Sequence, residues 1–303
     1  MKIGVIGTGS MGKNHARVYS ELKSVEEVYG FDLNKENQDE LTELGVISCD
    51  SMEELLDSID AASICVPTKY HYDVVREAIA KDIHCLIEKP IALSVKEGEE
   101  LVELLKDKDM VVGVGHIERF NPIVNEIETM LKNPFYVQVR RHNPGSSRIT
   151  DSSVVEDLMI HDIDIIFNVL FNGERYKLDS AGNFDVCNVV VTFNGSVVSM
   201  SASRRGAKKI RTLYIEDEDL TIEGDFMNQE VYAYRKPEKY LQESERYTQE
   251  NIIEKVLVNK VEPLKVELRT FVDCVKRNKV FPITPEQALN NLRICEEIKK
   301  GFE

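Results

Sequence analysis

Over residues 1–115, short unbroken apolar runs alternate with longer amphipathic segments, and this alternation constrains the fold more than any other feature of the chain. The runs 2–6 (KIGVI), 27–31 (EVYGF), 61–66 (AASICV), 83–87 (IHCLI) and 110–114 (MVVGV) have strand length, and the segments 11–22, 35–44, 52–58, 71–80 and 95–106 carry a helical pattern. A strand that is apolar on both faces must be covered on both, and crossover helices supply that cover. The expected first domain, over 1–118, is a doubly wound parallel sheet.

The remainder, 119–303, reads differently. The run 154–170 (VVEDLMIHDIDIIFNVL) is patterned as one helix, and strand-like runs follow at 187–193, 196–203, 210–215 and 219–223, with Gly195, Gly206 and Gly224 marking turns. Strands in succession at short spacing imply an antiparallel sheet. The segment 234–262 is charged and weakly patterned and reads as a long loop or irregular helix; the helical runs 264–278 and 285–300 are parted by Pro282 and Pro285. The expectation is an α+β domain with an open, mainly antiparallel sheet, its C-terminal helices, 264–303, free to pack back on or near the first domain. Val189–Val191 put apolar side chains on both faces of that sheet. One face can take the 154–170 helix and the other needs cover, which points to a homo-oligomer, a dimer or tetramer.

A length of 303 residues fits two domains, and 42% hydrophobic with 30% charged residues excludes wholesale disorder. No apolar run approaches the roughly 18 residues that span a bilayer. A net charge of −15 argues against nucleic acid, which needs a basic footprint; an anionic ligand would need a local basic cluster or a helix N-terminus. The six scattered cysteines form no CxxC pair, so neither a zinc site nor a disulfide framework is expected. With a strand starting at the N-terminus in place of a signal peptide, the expected location is the cytoplasm.

The motif Gly7-Thr8-Gly9-Ser10-Met11-Gly12 follows a strand and opens a helix. In that context Gly7 permits a tight turn, Gly9 lets backbone approach a pyrophosphate, and Gly12 lets helix and strand pack closely, with the first helical N–H groups facing the phosphates. A glycine turn without a ligand is the bland alternative. Asp32, twenty residues after Gly12, suits the ribose hydroxyls and would repel the extra phosphate of NADP, which favours NAD. Lys35 softens that repulsion, and a plain helix N-cap is the alternative, a task Asn34 can also fill.

Glu88-Lys89-Pro90 follow the strand 83–87, where ligands of open parallel sheets sit. Lys89 is placed to polarise a sugar oxygen or take its proton, and an ordinary surface lysine is equally consistent. His161 lies four residues after Asp157, so the two share a helix face. A carboxylate beside an imidazole fixes its tautomer and raises its basicity, whereas a structural histidine is the competing reading. Asp162 and Asp164 crowd the same helix, and at least one is expected to cap or pair. His116, Arg119 and Asn121, in 113–122 (GVGHIERFNP), either line a cleft or belong to a domain-crossing loop. Arg204, Arg205, Lys208, Lys209 and Arg211 read with Gly206 as a solvated hairpin turn; Arg140, Arg141 and Arg148 compete with them for a nucleotide diphosphate.

Taken together, the glycine motif with His15 just after it, Pro67 with His71, Glu88-Lys89-Pro90 and Asp157…His161 resemble the glucose–fructose oxidoreductase/inositol dehydrogenase family, in an order that spans both domains. The resemblance implies a Rossmann domain binding NAD, with Gly7, Gly9, Ser10, Met11, Gly12, Asp32, Pro67, His71 and Glu88 on the cofactor and no metal. It implies hydride transfer with Lys89, Asp157 and His161 around the reacting carbon, and substrate contacts from Lys89, His116, Arg119, Asn121, Arg148 and His161. One departure is 152–156 (SSVVE), where many members carry a glycine-rich stretch. The stretches 115–122 and 154–166 are similar to members that oxidise the 3-hydroxyl of UDP-N-acetylglucosamine, whose 3-keto product passes to a downstream aminotransferase. Inositol, a free sugar or another UDP-sugar are alternative substrates. A catalytically silent NAD-binding regulator is the alternative class, against which the joint presence of Lys89, Asp157 and His161 argues.

Overall fold

The computed structural model describes all residues except 107, 146–151, 237–239, 244–245, 250–251 and 303. It divides into two compact units, Met1–Phe120 with Glu262–Arg293, and Asn121–Val261 with Ile294–Glu303.

The first unit alternates β1 (Lys2–Ile6), α1 (Ser10–Glu21), β2 (Glu27–Phe31), α2 (Lys35–Thr42), β3 (Ile47–Ser48), α3 (Met52–Ser58), β4 (Ala61–Ile64), α4 (His71–Ala80), β5 (His84–Glu88), α5 (Val95–Leu105) and β6 (Val112–Gly115). The strands form one parallel sheet in the order β3-β2-β1-β4-β5-β6, so the order reverses between β1 and β4. All four positions of β4 are buried, the two-sided cover that its unbroken apolar run requires. Helix starts are set by side chains: Asn34 caps α2, Ser51 caps α3, and Ser94 with Glu97 closes a capping box on α5. The C-terminal segment joins this core through α8 (Pro263–Arg277), which buries Leu264, Leu268, Phe271 and Val272. Phe281 lies on β6 only because residue 113 is glycine; a Cβ there would sit 2.2 Å from the Phe281 ring.

The second unit holds α6 (Pro122–Met130), β7 (Tyr136–His142), α7 (Ile160–Ile165), β8 (Tyr176–Gly182), β9 (Val186–Phe193), β10 (Ser196–Ser203), β11 (Ile210–Glu216), β12 (Leu220–Asp225), β13 (Glu230–Arg235), β14 (Tyr240–Glu243), β15 (Arg246–Gln249) and β16 (Ile252–Lys255); α9 (Pro285–Lys299) closes the chain's helices. The expected helix over 154–170 is present, with wider π-type turns at Val155–Met159 and Ile166–Leu170 on either side of α7. Eight strands form a sheet in the order β16-β13-β12-β11-β7-β10-β9-β8, antiparallel except for the β7–β10 pair, and β14–β15 form a separate hairpin. Burial alternates along β9, with Cys187, Val189, Val191 and Phe193 inward, so one face of the sheet makes the core. Val190 and Val197 are exposed on the other.

Three expectations change, the first being that Gly224, read as a turn, lies inside β12 and pairs with Leu213 and Val231. The described parts of 234–262 are not a loop or irregular helix but include β14, β15 and β16. All four residues of β16 are exposed, so no apolar alternation marks that edge strand. The run Arg204–Arg211 is not a hairpin turn, because β7 lies between β10 and β11. β7 itself escaped the apolar pattern because one of its inward positions is filled by Arg141.

Candidate active site

The first unit's candidate residues sit at the carboxyl ends of its strands. Gly7 has φ +85°, and a Cβ on it would lie 2.6 Å from the Val66 nitrogen. A Cβ on Gly12 would lie 1.9 Å from the Gly7 carbonyl oxygen, so helix α1 can approach β1 only with glycine there. Gly9 differs: nothing lies within 4 Å of its Cβ position, and as the N-cap of α1 it offers the first-turn N–H groups no side-chain cap. The loop is therefore tight where it packs and open where a pyrophosphate needs backbone donors, as dinucleotide binding requires. Asp32 anchors this loop. Its Oδ2 accepts from the Thr8 N–H at 2.7 Å and the Asn37 amide at 3.2 Å, and its Oδ1 from the Asn34 N–H at 2.8 Å. Asn34, not Asp32, caps α2. Met11, Leu33, Tyr70 and Leu93 are exposed just beyond β1, β2, β4 and β5, with Leu33 at 90%. That apolar rim and the open Gly9 cradle fit a dinucleotide.

Glu88 and Lys89 leave β5 half-buried, and the Lys89–Pro90 peptide is cis. Burial alone would raise the Glu88 pKa, but the His15 hydrogen bond and the nearby charges of His15, Lys89 and His71 outweigh it and hold it below the ordinary carboxylate value. His71 is buried, with Nδ1 2.8 Å from the Pro90 oxygen and Nε2 2.9 Å from the Val66 oxygen. Carbonyls only accept, so a neutral ring donates to one of them at a time; burial outweighs the carbonyls and holds the His71 pKa below its ordinary value. His71 thus holds the loop after β5 from below, while Pro67 is exposed.

His116 is buried and lies 3.3 Å from the Asn291 amide, and Arg119 donates to the Pro282 oxygen and to Gln287. These contacts hold the strand end and the C-terminal segment of the first unit together.

In the second unit Asp157 and His161 are half-buried on the helical segment, and the Asp157 N–H donates to the Ser153 oxygen. Their neighbours have structural tasks. Asp162 pairs with the buried Arg141 at 2.7 Å, and Asp164 accepts from Asn168 at 3.0 Å. Glu156, the departure noted above, bonds Ser153 and Lys299. Burial raises its pKa, and those partners more than reverse the effect, leaving it below the ordinary value. Asn121 is buried, donates to the Phe226 oxygen at 3.0 Å and caps α6. Its amide works inside the unit.

Among the basic candidates, Arg141 is engaged in the core. Arg140 lines a groove of about 480 Å³ on the sheet face opposite that core, with Gln138, Thr212 and Tyr214. Arg204 is buried against Asp185 and the Ser152 oxygen, and Arg205 is exposed. Arg148 lies outside the described residues. Sequence reasoning passed over Thr8, the buried residue of the glycine loop whose N–H and hydroxyl donate to Asp32, and Leu33, the exposed apolar residue beside Asp32.

The model of the oxidoreductase family with an NAD-binding Rossmann fold, GFO/IDH/MocA, matches residues 1–116. The chain is 32% identical over 245 residues to UDP-N-acetylglucosamine 3-dehydrogenase of Acidithiobacillus ferrooxidans, covering 78% of this chain and 77% of that one. The solved structure of that enzyme superposes with a TM-score of 0.88 at 26% identity, covering 100% of this chain and 97% of the other. Myo-inositol 2-dehydrogenase of Thermotoga maritima is 23% identical over 253 residues, 74% of this chain and 73% of that one. A levoglucosan dehydrogenase solved with NADH and levoglucosan shares the fold, with a TM-score of 0.80 at 17% identity over 99% of this chain and 96% of that one.

Proposed function

The chain belongs to the GFO/IDH/MocA family of NAD-dependent oxidoreductases acting on CH–OH groups, and from that premise we propose that it oxidises the 3-hydroxyl of UDP-N-acetylglucosamine to the 3-keto sugar. The observation that carries the substrate is the 32% identity, over 78% of the chain, to an enzyme named for that reaction.

When bound, NAD supplies the hydride acceptor. The backbone around Gly9 and the first turn of α1, with Ser10 and Met11, would hold the pyrophosphate, and Asp32 would hold the ribose. Lys89 donates a hydrogen bond to the reacting oxygen and stabilises the negative charge that develops there. His161, oriented by Asp157, accepts the hydroxyl proton. The 3-keto product is a carbonyl suited to transamination, so an aminotransferase is the expected consumer. Val190 and Val197, exposed on the open sheet face, support a homo-oligomer, and the free cysteines support a reducing cytoplasm. Among the described residues no helix is long and apolar enough to cross a membrane.

The test is a screen of UDP-sugars, free sugars and inositol for NADH formation. UDP-N-acetylglucosamine should turn over, and Lys89→Ala should lower kcat by about 100-fold or more with NAD affinity unchanged. Turnover of inositol or a free sugar alone would replace the substrate, near-normal turnover by Lys89→Ala would remove Lys89 from the mechanism, and no NADH from any sugar would favour the regulator.

A further inference from the structure

We propose that His15 is a positioning residue for Lys89, acting through the Glu88 carboxylate, so that the helix behind the glycine loop also fixes the backbone presenting the lysine. The proposal rests on the role given to Lys89 above.

His15 sits in the second turn of α1 with no exposed surface, and its Nε2 lies 3.0 Å from Glu88 Oε1. A carboxylate only accepts, so Nε2 carries the proton and donates. The other oxygen, Oε2, accepts from the backbone N–H of Lys89 at 3.3 Å. Glu88 therefore bridges an imidazole on α1 and the main chain of the lysine itself. On the far side of Lys89, the Pro90 carbonyl is held by His71 at 2.8 Å. Glycine at 115 leaves room for this carboxylate beside β6, since a Cβ there would lie 3.1 Å from Oε1. The titratable groups facing Glu88 are His15 and Tyr19 from α1, Cys65 at the end of β4, His71 from α4, and Lys89.

A largely buried carboxylate is costly unless hydrogen-bonded, and a buried imidazole N–H likewise needs an acceptor, so each group satisfies the other. What the pair achieves is a defined position for residue 89 relative to α1, the helix whose start would receive the cofactor phosphates. Hydride transfer depends on that relative placement, and errors near an ångström cost about 100-fold in rate.

The test uses the full-length protein with saturating NAD and UDP-N-acetylglucosamine, or whichever sugar the screen returns, measuring kcat and KM from about pH 5 to 9. His15→Phe keeps a ring and removes the donor; His15→Gln keeps a donor at similar reach. His15→Phe should lower kcat roughly 10- to 100-fold while both KM values stay within about threefold. It should also gain an acid limb in the kcat profile, because without the imidazole, burial drives Glu88 toward its neutral form. His15→Gln should recover most of the rate and lose that limb, and in a Lys89→Ala background His15→Phe should have no further effect. A wild-type kcat and profile in His15→Phe overturns the proposal, as does a loss that His15→Gln does not rescue. If Lys89→Ala is inactive and His15→Phe is normal, only the positioning role falls; if Lys89→Ala turns over normally, the reading of Lys89 falls first. Should His15→Phe not fold, Glu88→Gln reads the same link. An amide accepts on one side only, so a reduced kcat without an acid limb is expected, and a wild-type kcat would again overturn the proposal.

Discussion

Gly9 and Gly12 stand three residues apart in one motif, yet replacing each with alanine should fail in a different way. At Gly12 the new methyl would be placed 1.9 Å from the Gly7 carbonyl oxygen, where ordinary contacts begin near 3.4 Å. The obstacle is backbone, so α1 would have to move off β1 by well over an ångström. Overpacking usually costs about 1–3 kcal/mol, and a clash this deep belongs at or beyond the upper end. At the size of these units that is a fall in Tm of roughly 6–12 °C. At Gly9 the methyl meets nothing within 4 Å, and φ −66° with ψ −159° is open to alanine. Gly9→Ala should therefore melt within about 1 kcal/mol of the parent, the scale of an N-cap change. Its methyl would occupy the space that the pyrophosphate needs, and the NAD Kd should rise at least about tenfold, or 1.4 kcal/mol. Differential scanning calorimetry and isothermal titration of NAD on both variants separate the two effects. Unaltered NAD affinity in Gly9→Ala would show that the phosphates do not lie against this loop, and an unaltered Tm in Gly12→Ala would refute the packing argument.

Two further outcomes concern the second unit. Arg141→Ala strands Asp162, 1% exposed, without its guanidinium, and should cost about 3–5 kcal/mol in urea unfolding; a loss under about 1 kcal/mol would mean that solvent or another donor takes over. Glu156→Gln should lower stability by about 1 kcal/mol at neutral pH. The folded pKa of Glu156 lies below its unfolded value, so its contribution is present above the ordinary carboxylate pKa and lost as pH falls through the folded one. The Tm gap between variant and parent should accordingly close in acid, and a gap that persists there would assign the loss to packing.

The parallel sheet of the first unit was legible in the sequence because burial on both faces leaves a local mark: Ala61–Ile64 are buried at every position and read as an unbroken apolar run. The glycine loop was legible for a related reason, since the packing of Gly12 against Gly7 and the φ of Gly7 are contacts within six residues. The identities of Lys89, Asp157 and His161 as candidates came from motif order, whereas the burial of Asn121 and His116 left no mark in the sequence. Tertiary structure alone decided what lies far apart along the chain. It inserted β7 between β10 and β11, turned Arg141 into a core residue against Asp162, and brought His15 to Glu88 across 73 residues. Side-chain periodicity records which face of an element is buried, but not which distant element covers it; that choice is made by the packing of the whole chain, where a charged residue can sit in a core only if its partner arrives with it.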